Sequence, residues 1–598
     1  MARHFPLDTL PDEALETLFK HLTYDNLARL CVVSRAWNRA LSIHARHLWA
    51  SPVFDARRFG LPFSIQAVRG VLEKAKDALT SVTFTEEGAS LLDGSSSGHL
   101  RVRSAANFVL GLHATYPALR EVSIPEADVR LVQDLLAQGL TRLDVGRLVL
   151  NQAAVTSGDA VSVLTHPALR VCHLHLQERN LVAPPVPEEV VSHYADVMLG
   201  LAASAMDAHA TWLEAVTVAW HGHQAWGVAR ASDGEGATAF LAAVKACHLL
   251  GEVNVPAMLT DTAFDSVMEA LAAHGKCTSA TLDGVYDMCV YLPGVVRHLL
   301  PRLVRLSITT YPSHGDQREK QDAVLHLASE LQRASKLRHL ILLRARDMYD
   351  VFFQLCDAVS TTGITTFELH DVNPLQLGVL AEAGLPRSLT SLVVHGMKDA
   401  HFNPIELRNS SAGLGALLQA AQNVASLSFA DFAWTTAEFF ELTDYLTSPT
   451  NIKRLTLTNV EDGRDTGAWA PLCAALWIST TLEELSISPV RNDACAKALA
   501  NGIQRTRALK VFTAGVVLKA EPWTVSRGKC ISQDGMGALV DAFRYNRTLR
   551  SMSVVANGAR DMDQLQAIQE ALNDARDRRA WNERGRKSDE VHVVWAQS

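Results

Sequence analysis

One phrase dominates the chain from Leu79 onward: Leu-x-x-Leu-x-Leu, with conservative apolar exchanges. It reads LTSVTF at 79–84, LREVSI at 119–124, LTRLDV at 140–145, LRVCHL at 169–174 and LEAVTV at 213–218. It returns as LVRLSI at 303–308, LRHLIL at 337–342, ITTFEL at 364–369, LTSLVV at 389–394 and VASLSF at 424–429. IKRLTL at 452–457, LEELSI at 482–487, LKVFTA at 509–514 and LRSMSV at 549–554 complete the run, with fainter copies LGEVNV at 250–255 and CTSATL at 277–282. From residue 337 the starts lie 27, 25, 35, 28, 30, 27 and 40 residues apart. A unit repeated at that period cannot bury its apolar face alone and must stack on its neighbours. A chain of 598 residues also exceeds what one compact core holds. The expected architecture is a solenoid.

The last three anchors of each phrase alternate as in a strand, one face turned into the stack. Between phrases run helical stretches such as GLGALLQAAQN (413–423) and GMGALVDAFRYN (535–546). Their apolar residues Leu414, Leu417 and Leu418, and Leu539, Val540 and Phe543, recur at i+3 and i+4. Strand plus helix per repeat predicts an α/β fold with parallel strands joined by crossovers. The strands are expected on the concave face of a curved horseshoe and the helices on its convex face. Phrase and period resemble the leucine-rich repeat, and the long helical segments resemble its ribonuclease-inhibitor type. The usual Asn or Cys after the strand is mostly missing, although Asn459 fits. Spacings of 44 and 37 residues in the first half imply irregular loops, as GSSSG (94–98), APPVP (183–187), ASDGEG (231–236) and SHGDQREK (313–320) suggest. Val591, Val593 and Trp595 alternate as a last edge strand would, with a shielding helix around Leu565, Ile568 and Leu572.

The first fifty residues follow another rule. In LPDEALETLFKHL (10–22), Leu15, Leu18, Phe19 and Leu22 share one helical face. Pro11 suits the first helical position, and Asp12 and Glu13 complement the positive end of the dipole. A second short helix places Leu27 and Leu30 inward, and a third, capped by Ser34, buries Trp37 and Leu41. So small a unit is marginal alone and is better completed by a partner. Leu10-Pro11-x-x-x-Leu15-x-x-Leu18-Phe19-x-x-Leu22, then Leu27-x-x-Leu30-x-x-Val33-Ser34-Arg35-x-Trp37, then Leu48-Trp49, closely resembles the F-box. The resemblance covers residues 5–50. It implies docking on the small adaptor protein that links an F-box to a cullin scaffold, with Leu10, Pro11, Leu15, Phe19, Leu22 and Leu30 making or supporting that contact. The YDN segment before Leu27 departs a little from the commonest pattern. The expected domains are an F-box at 1–50, a helical linker at 51–78 and leucine-rich repeats at 79–598.

The balance of charge, −8 with a pI near 6.3, lacks the strongly basic footprint of a nucleic-acid binder. The N-terminus shows no secretory apolar stretch, and no window reaches the length of a membrane span. Nine scattered cysteines without C-x-x-C argue against zinc and against a disulfide framework. A soluble cytoplasmic or nuclear protein is expected, with no cofactor, no metal, no nucleic acid and no membrane partner. No phosphate cradle or dinucleotide fingerprint follows a strand. The pairs His173 with His175 and His221 with His223 have metal-like spacing, but no carboxylate or cysteine completes either locally. Cys356-Asp357 faintly resembles the Cys-x-Asp of bacterial ligases that carry leucine-rich repeats; its spacing is wrong and the catalytic domain is missing, so a buried helix cysteine is expected. No catalytic residue is assigned.

The recognition surface can be placed more closely. Residues between and just after the last two anchors should point away from the core. In the strands beginning at 424 these are Ser428 and Ala430, Thr456 and Thr458, Ser486 and Ser488, Thr513 and Gly515, Ser553 and Val555, none of them charged. Charges sit instead at the strand starts: Lys453, Arg454, Glu483, Glu484, Lys510 and Arg550. This pattern suits a groove for a neutral segment of a protein target, or a sheet too tightly packed for larger residues. Glu368, His370 and His395 occupy equivalent positions in the middle strands. The expected function is the target-recognition subunit of an SCF-type cullin–RING ubiquitin ligase, itself no enzyme, with the adaptor, the cullin and a protein target as partners. The alternative is a repeat scaffold or inhibitor with no ligase role.

Overall fold

The computed structural model describes residues 51–54, 72, 79–84, 112, 115–150, 159–178, 188–211, 213–220, 234–254, 259–283, 291–309, 317–396, 411–432, 434, 436–460, 469–490, 492–517, 531–557, 570–572 and 590–596. The chain divides into two compact units, Met1–Lys276 and Cys277–Ser598. Each is built on parallel strands that follow one another in chain order.

In the first unit the elements are β1 (Val53–Phe54), β2 (Ser81–Phe84), β3 (Glu121–Asp128), α1 (Val129–Ala137), β4 (Arg142–Leu150), α2 (Asp159–Leu164), β5 (Leu169–Glu178), α3 (Glu188–His209), β6 (Ala215–Trp220), α4 (Glu235–Ala246), β7 (Glu252–Asn254) and α5 (Asp261–His274). β1 pairs with β2, so the segment expected as a helical linker starts with a strand; Leu72, also described there, is helical. β3, β4 and β5 run eight to ten residues, longer than the phrase alone predicts. That length corrects one assignment. Leu143 lies opposite Leu169 and Val145 opposite Val171, so the anchors matching the β4 phrase are Leu169 and Val171 rather than Cys172 and Leu174. Leu174 instead pairs with Val216 of β6, which starts opposite His173. A ten-residue strand offers two sets of apolar anchors; β4 runs alongside both, whereas β6 meets only the second. α5 ends at Gly275, whose φ of 68° is a left-handed turn that glycine adopts without steric penalty.

In the second unit follow β8 (Ser279–Asp283), α6 (Leu292–His298), β9 (Arg305–Thr309), α7 (Gln317–Leu331), β10 (His339–Leu343), α8 (Tyr349–Ser360), β11 (Thr366–Val372), α9 (Pro374–Ala383), β12 (Ser391–Gly396) and α10 (Ser411–Ala420). Then come β13 (Ser426–Ala430), α11 (Thr436–Thr447), β14 (Arg454–Thr458), α12 (Trp469–Ile478), β15 (Glu484–Val490), α13 (Asp493–Arg505), β16 (Val511–Val517), α14 (Gln533–Tyr545), β17 (Ser551–Asn557) and β18 (Glu590–Ala596). Register is uniform within the phrases and shifts only beyond them, after Leu369 and after Ile487: the third residue of every phrase forms one row from Ser279 through Arg305, His339, Thr366, Ser391, Ser426, Arg454, Glu484 and Val511 to Ser551. The faint copy at 277–282 is thus a true repeat, and so is the one at 250–255, whose strand β7 pairs with β6. The expected last strand exists and pairs with β17 from Ser551↔Glu590 to Asn557↔Ala596. Leu572 of the segment before it is buried, while Leu565 and Ile568 lie outside the described residues.

The core follows the phrase. From β9 to β17 the two strand anchors, such as Leu455 and Leu457 or Leu485 and Ile487, are at most 1% exposed, facing the helices. The repeat starting at 424 adds an aromatic chain: Phe429 to Trp434 (5.4 Å), Trp434 to Phe439 (5.5 Å) and Phe439 to Trp469 (5.0 Å). These separations favour edge contacts and fasten α11 and α12 to β13. Some polar groups in the core are held by specific hydrogen bonds. Asn373 and Gln376 form a capping box on α9, and buried Gln376 also donates to the Ala345 carbonyl at 2.9 Å. Among the described residues no helix is long and apolar enough to cross a membrane.

Candidate protein-binding face

Alternation along each strand leaves one sheet face without anchors, and that face carries the candidates. Glu368, Val393, Ser428, Thr456, Ser486, Thr513 and Ser553 stand in one unbroken register row. Each is partly exposed, as the strand reading requires. Adjacent strands lie about 4.8 Å apart, so the hydroxyls of Ser428, Thr456, Ser486, Thr513 and Ser553 form a regularly spaced polar line. It can exchange hydrogen bonds with an extended segment without the desolvation cost of a buried charge.

The second row is less open than the sequence suggests. His395, Ala430, Thr458 and Ser488 share it, with Thr458 and Ser488 partly exposed and Ala430 buried. Gly515 is buried too. A Cβ on Gly515 would run into the Ser488 side chain, so glycine is there because Ser488 already fills the space. The smallness of this end of the row is therefore a packing requirement at Gly515 and an open hydroxyl at Thr458. The side chain of Val555 lies outside the described residues.

At the other end of the rows, Glu368, His370 and His395 come together. His370 Nε2 stands 3.7 Å from Glu368 Oε2, and the two imidazoles are 4.2 Å apart between centroids. The neighbouring His370 side chain chiefly holds the Glu368 carboxyl below the usual glutamate range against the opposing effect of burial, with Arg305 and His395 acting in the same direction. The sequence placed these residues only at equivalent positions; register turns them into a cluster. It can offer a carboxylate and two imidazoles to a polar target group.

A row of turn residues borders the face, of which the sequence pointed only to Asn459. Arg344, Asp371, Asp431 and Asn459 occupy the same place after the anchors of their phrases, Asp371 near the end of β11 and the others just past their strands, and have φ between 51° and 59°. Asp and Asn tolerate this left-handed conformation better than most residues, so the available signal was the Asp or Asn that closes FELHD (367–371), LSFAD (427–431) and LTLTN (455–459). The Asp431 amide donates to the Thr458 carbonyl at 2.9 Å and the Asn459 amide to that of Ser488. Asn459 Nδ2 donates to Asp431 Oδ1 at 3.0 Å. Asn459 therefore links neighbouring turns at the protein surface.

The other sequence candidates separate cleanly. His173 is exposed on β5, and the side chain of His175, like His221 and His223 altogether, lies outside the described residues. Among the described residues no group of three or more His, Cys, Asp or Glu could hold a metal. Cys356 is fully buried in α8, and burial pushes its thiol far above the usual range, the state of an unreactive structural cysteine. Leu10, Pro11, Leu15, Phe19, Leu22 and Leu30 lie outside the described residues.

Comparison with known proteins bears on that N-terminal segment. The F-box-like family model matches residues 7–55. No curated protein matches the chain. Among solved structures, a crystal structure of the Rad7 and Elc1 complex in yeast is similar at 12% identity and a TM-score of 0.34, over 71% of this chain and 86% of that one. A protein from Bacteroides fragilis is similar at 10% identity and 0.29, over 53% and 73%. The TLR13–ssRNA13 complex is similar at 13% identity and 0.32; it is matched over 81% of this chain and 57% of that one.

Proposed function

We propose that this chain is the target-recognition subunit of an SCF-type cullin–RING ubiquitin ligase. The carrying observation is the F-box-like match at 7–55, on the residues Leu10, Pro11, Leu15, Phe19, Leu22 and Leu30, ahead of an array of strand–helix repeats. In this reading the F-box holds the adaptor and cullin, and the repeats hold a protein target. The polar row Ser428, Thr456, Ser486, Thr513, Ser553, its neighbours Thr458 and Ser488, and the Glu368, His370 and His395 cluster form the target face. The subunit performs no bond chemistry. Its contribution is positional, raising the effective concentration of target lysines at a ubiquitin donor carried by other subunits.

The test is affinity purification of the full chain from cell extract, scored for the cullin and its adaptor. Recovery of both supports the reading. Recovery of a target with neither favours a repeat scaffold or inhibitor whose first fifty residues merely cap the array.

A further inference from the structure

The helix-to-strand loops of the last described repeats are locked to one another. The Arg550 amide donates to the Lys510 carbonyl at 2.6 Å, that of Lys510 to Glu483 at 2.7 Å, and that of Glu483 to Lys453 at 2.8 Å. Buried Asn546 donates to the carbonyls of Ile503 and Thr506 and so pins the loop after α14 to the loop after α13. Side chains projecting from this edge are therefore carried on a fixed backbone, which lowers the ordering cost of binding.

The charged ones are mostly basic. Segments 477–484, 505–511 and 544–551 contain Arg505, Arg507, Lys510, Arg544, Arg547 and Arg550 against only Glu483 and Glu484, in a chain of net charge −8. Both glutamates are already engaged, Glu483 by Lys510 at 2.7 Å and Glu484 by Arg454 at 3.5 Å. The fold itself does not demand these charges: the equivalent loops 360–366 (STTGITT) and 420–426 (AAQNVAS) contain none. Three large apolar side chains stand among them. Trp477 is 53%, Ile478 57% and Tyr545 57% exposed. The Arg505 guanidinium lies 5.4 Å from the Trp477 ring and that of Arg544 5.5 Å from Tyr545, within cation–π range. Exposed aromatic and Arg side chains held on a rigid edge have the composition of binding hot spots.

We propose that the edge formed where α12, α13 and α14 lead into β15, β16 and β17 is a docking surface for an acidic segment of a partner protein, one with an apolar side chain between its carboxylates. Charge complementarity selects the acidic partner. Ile478 beside Trp477 offers an aliphatic contact that suits a peptide side chain better than a nucleotide. Glu483 and Glu484 interrupt the positive field where a continuous phosphate backbone would need it, while spaced carboxylates can straddle them. The surface is separate from the polar sheet face and requires neither residues 7–55 nor any adaptor.

The experiment uses the full chain and fluorescence anisotropy with three labelled probes. These are a peptide alternating Glu or Asp with Leu and Phe, the same peptide with Lys at the acidic positions, and an oligothymidylate of similar length. The acidic peptide is expected to bind with a Kd on the order of tens of micromolar and to weaken several-fold between about 50 and about 300 mM salt. The double charge reversal Arg507→Glu with Arg547→Glu, at exposed positions, should weaken it at least about tenfold with an unchanged thermal melt, and Trp477→Ala about threefold to tenfold. Absence of peptide binding, or equal affinity for the charge-reversed protein, would overturn the proposal. So would tighter binding of oligothymidylate than of the acidic peptide.

Discussion

Replacing Leu485 by Ala separates the two faces of a strand by energy. Leu485 is 1% exposed in β15, flanked in register by Leu455 and Phe512, each also at most 1% exposed. Truncation to Ala removes three carbons, and at about 0.8 kcal/mol per buried CH₂ the transfer loss is about 2.4 kcal/mol. The neighbours belong to strands fixed by their own ladders and cannot fill the hole. At about 24 cal/mol per Å³ of residual cavity, a void of roughly 40 Å³ adds about 1 kcal/mol. The expected loss is therefore about 3–4 kcal/mol, inside the range of about 2–5 kcal/mol for such changes. Ser486, one residue on, sits between Thr456 and Thr513 on the other face and is partly exposed. Ser486→Ala should change stability by no more than about 0.5 kcal/mol. A repeat array need not unfold as one unit, so urea melts should be accompanied by hydrogen exchange across 484–490. Equal losses for the two variants, or a larger one for Ser486→Ala, would mean that the assigned faces are inverted.

Other consequences follow from single contacts. Asn546 receives the amides of Thr548 at 2.7 Å and Leu549 at 2.6 Å while donating to two carbonyls; Asn546→Ala leaves buried groups unpaired and should cost about 2–3 kcal/mol in a chemical melt, whereas exposed Asn451→Ala should cost less than about 0.5 kcal/mol. Asp493 accepts from the Ser532 hydroxyl and, at 2.7 Å, the Ser532 amide, and the hydroxyl bond chiefly holds its carboxyl below the ordinary 3.8. A depressed folded-state pKa gives stability that is complete above the unfolded value and lost as pH falls through the folded one. The melting temperatures of wild type and Asp493→Asn should therefore differ at pH 6 to 7 (a range well above 3.8) and converge only below it; a gap independent of pH would refute the ionic role. Ending the chain at Asn557 removes β18 and exposes the β17 ladder, so amides of 551–557 should exchange faster than in the full chain, and unchanged protection would show that the last strand contributes nothing.

How much of this was legible in the sequence depends on which interaction decides each feature. Strand positions follow from local alternation of anchors, so the phrases at 303–308 through 549–554 coincide with one register row. The phrase at 169–174 was misaligned because β5 carries two apolar sets, and only the neighbours β4 and β6 decide between them. Gly515 is small because of Ser488 on the adjacent strand, a cause no single repeat contains. The same holds for His370 and His395, which meet across neighbouring strands, whereas Glu368 and His370 are neighbours by spacing on one strand. α12 is apolar nearly all round, WAPLCAALWI, so its exposed Trp477 and Ile478 could not be distinguished from buried Leu472 and Leu476 without the packing. The N-terminal motif, by contrast, is carried by residue identity, and the resemblance read over 5–50 agrees with the F-box-like match at 7–55.

The ligase reading stands or falls on adaptor binding by that segment. The direct measurement is a titration of purified adaptor–cullin complex into the full chain and into a variant with Leu10→Ala and Pro11→Ala, with thermal melts of both proteins run alongside. The account predicts saturable binding by the wild type, loss of at least about a hundredfold in affinity for the variant, equivalent to about 2.7 kcal/mol, and matching melts of the repeat array. Equal binding by the variant, or no binding by the wild type, would contradict it.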